Sequence, residues 1–110
     1  MKTPLDSDTR LLQAAADPIR LRILRQLADL GPICACDIAA GQEVSQPTVS
    51  HHLRVLRDAG WIVGERHGTW IWYSLQPDAA ARFRAIGDAL SSVGGLATAL
   101  PRLRVIQPTA

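Results

Sequence analysis

The stretch DIAAGQEVSQPTVSHHLRVLRDAGWI, residues 37–62, decides the fold. Its first part is a short helix-forming run that breaks near Gly41. Ser45 then supplies an N-cap hydroxyl, and Pro47 is tolerated in the first turn, where a missing N–H costs nothing. The second helix runs to about Ala59 and stops at Gly60. A short helix, a tight turn and a capped helix make a helix-turn-helix, whose second helix lies in the major groove of DNA. Helical phase sorts that helix. Val49, Leu53 and Leu56 share one side and should pack inward, while Ser50, His51, Arg54 and Asp58 lie opposite. Gln46 and Thr48 occupy the first turn beside Ser45. Glutamine can pair with adenine at two points, and serine and threonine donate to phosphates or base edges.

Downstream the period changes. WIVGERHGTWIWYSL, residues 61–75, is rich in β-branched and aromatic residues around His67-Gly68, which predicts a β-hairpin. Trp70 and Trp72 point to one face, and Ile71, Tyr73 and Leu75 to the other. Arg66 and His67 at the tip would form a basic wing. An amphipathic helix with a solvated face would show the phase of residues 45–59 on its own; the basic hairpin directly after it favours DNA.

Upstream, a helix is expected from about Asp8 to Ala16, with Leu11, Leu12 and Ala15 as its stripe. Asp17-Pro18 restarts the chain as N-cap and first helical residue, and Ile19, Ile23, Leu24, Leu27 and Leu30 recur at helical spacing until Gly31-Pro32. The segment ICACDIAAGQEV reads as a short helix at best. A last helix is expected from about Pro77 to Val93, with Phe83, Ile86 and Leu90 as its stripe, closed by Gly94-Gly95. The fold class is therefore mostly α with a β-hairpin wing: a winged helix-turn-helix. The 110 residues make one domain, 1–110, with a core over about 8–93 and a patternless tail over 94–110.

The net charge of +2 is too small to prove a nucleic-acid partner, but Arg54, Arg57, Arg66 and all three histidines fall in the middle third. No apolar run approaches the roughly 20 residues that cross a bilayer, and the N-terminus is polar, so no membrane partner and a cytoplasmic location are expected. In that compartment the two cysteines, Cys34 and Cys36, are expected as free thiols or ligands rather than a disulfide. His51 and His52 point about 100° apart on a helix and do not share a metal easily. His51 is assigned to DNA, His52 to a packed, hydrogen-bonded position, and His67 to the wing.

The segments ADPIRLRILRQL, CACDIA, SQPTVSHHLRVLRDAGWI and GTWIWYSL closely resemble the ArsR/SmtB family of winged-helix metalloregulatory repressors. The resemblance covers roughly residues 8–92. It implies a homodimer joined through its first and last helices, seated on palindromic double-stranded operator DNA and released by a metal or metalloid. Members similar to arsenic sensors carry Cys-x-Cys at the start of the first helix of the helix-turn-helix, where Cys34 and Cys36 fall. Thiolates select soft ions, so arsenic(III) or antimony(III) is the expected inducer, with cadmium, lead or thiol oxidation as alternatives. Two small buried hydrophobes are the plainer reading. Some arsenic sensors add a third cysteine three residues after the pair; here that position is Ala39, and no other cysteine exists. Two thiolates must then suffice, completed by hydroxide or a buffer thiol for arsenite, or by the methyl of methylarsenite. Residues two apart diverge by about 200° on a helix, so chelation is expected to hold CAC out of helix and shift the DNA-reading helix. The last helix offers Asp78 and Asp88 but no histidine for a zinc, nickel or cobalt site. No thioredoxin-like pattern surrounds the cysteines, so an enzyme is not expected.

Overall fold

A computed structural model describes residues 6–92. The elements run α1 (Ser7–Ala15), α2 (Pro18–Leu30), β1 (Ile33–Cys34), α3 (Ala35–Ala40), α4 (Gln46–Asp58), β2 (Ile62–His67), β3 (Trp70–Leu75) and α5 (Pro77–Ser91). Val93, Gly94-Gly95 and the tail lie outside the described residues.

Local chemistry explains the helix boundaries. The Asp6 carboxylate accepts from the Thr9 N–H at 2.7 Å. Asp17 accepts from Ile19 and Arg20 at 2.9 and 3.0 Å, with Pro18 opening α2. Ser45 Oγ accepts from the Thr48 N–H at 3.4 Å. Gly31 (φ +79°) and Gly60 (φ +95°) follow α2 and α4 in left-handed conformations that a Cβ would strain.

The hairpin gains a third strand that periodicity did not announce. The sheet order is β1-β3-β2, all antiparallel, with Ile33 opposite Tyr73 and Cys34 opposite Trp72. On the other side Ile62 pairs with Leu75, Glu65 with Trp72, and His67 with Trp70. Two residues are too few for a period; pairing with a strand almost forty residues away makes β1. The inner face carries Ile33, Tyr73 and Ile62, all buried, and the outer face carries the exposed Trp70 and Trp72.

The core gathers Leu11 and Ala14 from α1, Ile23, Leu24 and Leu27 from α2, Ile38 from α3, Val49, Leu53 and Leu56 from α4, and Trp61 and Ile62. The buried Trp61 indole N–H donates to the Leu11 carbonyl at 2.7 Å, tying α1 to the end of the helix-turn-helix. The α1 stripe is rotated from expectation: Leu11 and Ala14 are buried, whereas Leu12 is exposed. On α5 only Ala79 is buried, and Phe83 and Leu90 stand 48% and 69% exposed. The α1–α5 pair is clipped together by Arg82 and Asp8 at 3.0 Å. No helix of the described residues is long and apolar enough to cross a membrane.

Candidate nucleic-acid interface and thiol site

Helix α4 divides as its phase requires. Val49, His52, Leu53 and Leu56 are buried, and Gln46, Ser50, His51 and Arg54 are exposed. Ser45 and Thr48 do double duty at its start: their hydroxyls hydrogen-bond each other at 2.9 Å while Ser45 caps the helix. Four of the expected contact residues therefore project freely from one helix, and two are bound into its first turn.

The wing is less basic than its sequence suggested. His67 lies on the outer sheet face, with Nε2 2.9 Å from Glu65 Oε1. Arg66 points to the opposite side of the strand and has no carboxylate within 4 Å among the described residues. Arg54 is likewise unpaired among the described residues, whereas Arg57 sits 3.7 Å from Asp58. The wing's positive charge thus rests on Arg66 more than on His67.

His52 is packed and hydrogen-bonded, as expected. Its partner, missed in the sequence, is Arg20 of α2, whose guanidinium lies 3.2 Å from His52 Nδ1. The same arginine donates through Nε to the Ala14 carbonyl near the end of α1. Burial first, then Arg20 and His51, push the His52 pKa below its ordinary value against the pull of Asp17. Neutral His52 therefore accepts at Nδ1 from Arg20. Asp17 is held low chiefly by the Arg20 backbone N–H. An arginine within RLR at helical spacing reads as solvated, and only the fold shows α1, α2 and α4 meeting at it.

The thiols converge. Cys34 ends β1 and occupies the N-cap position of α3 with extended backbone (φ −63°, ψ 141°); Cys36 is in the first helical turn. The two Sγ atoms are 2.8 Å apart, hydrogen-bonded thiols rather than a disulfide. Cys34 thus already stands outside the helix, and the strand–helix junction turns both side chains together. The hydrogen bond to Cys34 is the main reason that the Cys36 thiol is held above its usual pKa, with burial and the neighbouring Cys34 and Asp37 adding to it.

The donor set discriminates among ligands. Metal–sulfur bonds of about 2.3 Å place two sulfurs sharing one ion roughly 3–4 Å apart, a small adjustment from the observed spacing. Two soft donors suit a thiophilic ion. Among the described residues no three of His, Cys, Asp and Glu gather as a metal site, so closed tetrahedral zinc coordination finds no support there. Ala39, where a third cysteine would stand, is half-buried.

The family described as "Bacterial regulatory protein, arsR family" matches residues 17–62, from the cap of α2 to the first residue of β2. An uncharacterized HTH-type transcriptional regulator of Methanocaldococcus jannaschii is 38% identical over 80 residues, covering 73% of this chain and 90% of that protein. This chain belongs to the ArsR family. It is a transcriptional regulator, not an enzyme. The ArsR-family chain is also 38% identical to the arsenical resistance operon repressor of Escherichia coli over 68 residues, 62% of this chain and 58% of that repressor. It thus spans little more than half the length of that relative. The solution structure of a homodimeric winged helix-turn-helix DNA-binding domain from Mycobacterium bovis, a possible ArsR-family regulator, superimposes with a TM-score of 0.64 at 26% identity, covering 84% of this chain and 92% of that one.

Proposed function

We propose that this ArsR-family regulator is a cytoplasmic, homodimeric repressor that binds operator DNA and is released when Cys34 and Cys36 bind trivalent arsenic or antimony. The observation that carries the reading is the 2.8 Å approach of the two sulfurs at the start of α3, the helix that packs on α4. Gln46, Ser50, His51 and Arg54 present one polar face for the major groove, Ser45 and Thr48 organise its entering end, and Arg66 and His67 flank it from the wing. The similarity to the Escherichia coli arsenical repressor supports the choice of ligand. The Mycobacterium bovis homodimer and the exposed apolar Leu12, Phe83 and Leu90 support a dimer through α1 and α5.

The chain supplies the coupling. Cys34 is held by β1–β3 pairing, whereas Cys36 moves with α3. A ligand shared by both sulfurs ties the first turn of α3 to the wing sheet, and α3 transmits the strain to α4. Release requires only that the ligand bind the off-DNA arrangement more tightly. A hundredfold preference corresponds to about 2.8 kcal/mol.

Gel shifts on the DNA upstream of its own gene, titrated with arsenite, methylarsenite, antimonite, cadmium, lead and zinc, test the reading. Arsenite, methylarsenite and antimonite should release the protein. Cys34→Ser and Cys36→Ser should bind DNA normally and resist release, because serine is nearly isosteric and its oxygen is a hard donor. Normal release of either variant by arsenite removes the thiol pair as the switch. Release by cadmium or lead alone, or by oxidants alone, selects the alternative signals.

A further inference from the structure

The outer face of the wing sheet carries a cavity whose lining includes Trp72, the cross-strand partner of Cys34. Residues opposite each other in an antiparallel ladder project to the same face. The register therefore lines up Cys34, Trp72 and Glu65 in one row across all three strands. On that face lies a cavity of about 400 Å³ lined by Pro32, Glu65, His67, Trp72 and Ser74. Pro32 precedes Cys34 by two residues, and the Glu65–His67 hydrogen bond of 2.9 Å bounds the β2 side. Trp72, 38% exposed, lines the cavity and stands directly opposite Cys34 in the ladder.

We propose that this cavity receives the organic substituent of a monosubstituted trivalent arsenical held by Cys34 and Cys36, and that it prefers an aryl group. The inference rests on the thiol pair being the inducer site. Trivalent arsenic forms three bonds, two of which the thiols take. Among the described residues no third protein donor is gathered near them, so the third substituent belongs to the ligand. What stands next to Cys34 then decides which substituent is favoured, and Trp72 offers an aromatic face suited to stacking. The Glu65 carboxylate at the same cavity disfavours an anionic ring substituent, so the ligand class is an uncharged arylarsenous acid. Binding is a balanced exchange: two As–S bonds form and two As–O bonds break. Each thiol proton leaves with a hydroxide as water, and arsenic stays trivalent.

The full-length protein is titrated with phenylarsenous, methylarsenous and arsenous acids. Binding is read by tryptophan fluorescence, and release by displacement from upstream DNA. Phenylarsenous acid should bind at least tenfold more tightly than methylarsenous acid, about 1.4 kcal/mol. Trp72→Ala should collapse that ratio toward one, whereas Trp70→Ala, exposed on the same face but outside the cavity lining, should preserve it. Ser74→Phe, which fills the cavity and keeps Trp72, should also collapse the ratio and decides the matter if Trp72→Ala does not fold. A phenyl-to-methyl ratio near one in the wild type, or a ratio that survives Ser74→Phe, overturns the inference while arsenite release still stands. Failure of all three acids to bind, or binding undiminished in Cys34→Ser, instead removes the proposed inducer site itself.

Discussion

Replacing Arg20 by methionine tests how three helices are held together. The substitution keeps much of the aliphatic stem and removes two interactions: donation to the Ala14 carbonyl and the 3.2 Å contact with His52 Nδ1. Hydrogen bonds from a charged donor contribute about 1.5–3 kcal/mol when buried. Arg20 is only half-buried, so both contacts are screened, and a combined loss of about 2 kcal/mol is expected. For a domain of this size each kcal/mol lowers Tm by about 4–8 °C. The pH dependence carries a second signature. Folded His52 has a lowered pKa, so the unfolded chain takes up the proton first. The stabilisation from neutral His52 is therefore full above its unfolded pKa of about 6.5 and is lost as pH falls through the lower folded value. Arg20→Met removes a positive neighbour and leaves Asp17, so the His52 pKa should rise and this acid sensitivity should shrink. Urea unfolding at pH 7.5 and 5.5, at fixed protein concentration because a dimer melts by mass action, measures both. A variant within 0.5 kcal/mol of wild type at pH 7.5, with an unchanged loss on acidification, refutes the assignment of Arg20 as the link between α1 and α4.

Arg54→Ala should weaken operator binding and lower the salt slope by about one unit, measured as affinity against salt concentration, whereas Gln46→Ala should mainly relax base preference at one position per half-site. Identical affinity, slope and preference in both variants would leave α4 without a reading role. Phe83→Ser combined with Leu90→Ser should shift the sedimentation equilibrium toward monomer and weaken DNA binding, and an unchanged dimer would place the interface elsewhere. Cadmium binding should strengthen steeply with pH, by up to ~100-fold per unit while both thiols must lose protons. Arsenous acid, which discharges those protons as water, should bind with little pH dependence; equally steep profiles for the two would refute the exchange chemistry assigned to the pair.

Much of the fold was legible because its signals are local. Asp17-Pro18 and Ser45 start α2 and α4 through bonds to N–H groups two or three residues on, and Val49, Leu53 and Leu56 keep one face by helical period alone. The alternation of Trp70, Ile71, Trp72 and Tyr73 likewise placed the two sheet faces. The candidate DNA residues followed from the same phase, and Cys34 and Cys36 stood out because soft donors are scarce in this chain.

Other features depend on contacts that no local pattern encodes. Leu12 reads as part of the α1 stripe, yet the approach of Trp61 to the Leu11 carbonyl accompanies the burial of Leu11 and Ala14 instead. Arg20 and His52 are 32 residues apart, and neither announces the other. His67 joins Glu65 because alternate strand residues share a face, which discharges part of the expected basic tip. Amino-acid order by itself determined the helices, the hairpin and the presence of two thiols in one short stretch, since capping and periodicity act within a few residues. Only the tertiary structure decided that the two thiols meet: β1 exists through pairing with β3, and that pairing takes Cys34 out of the helix, sets it opposite Trp72 and brings its sulfur to Cys36.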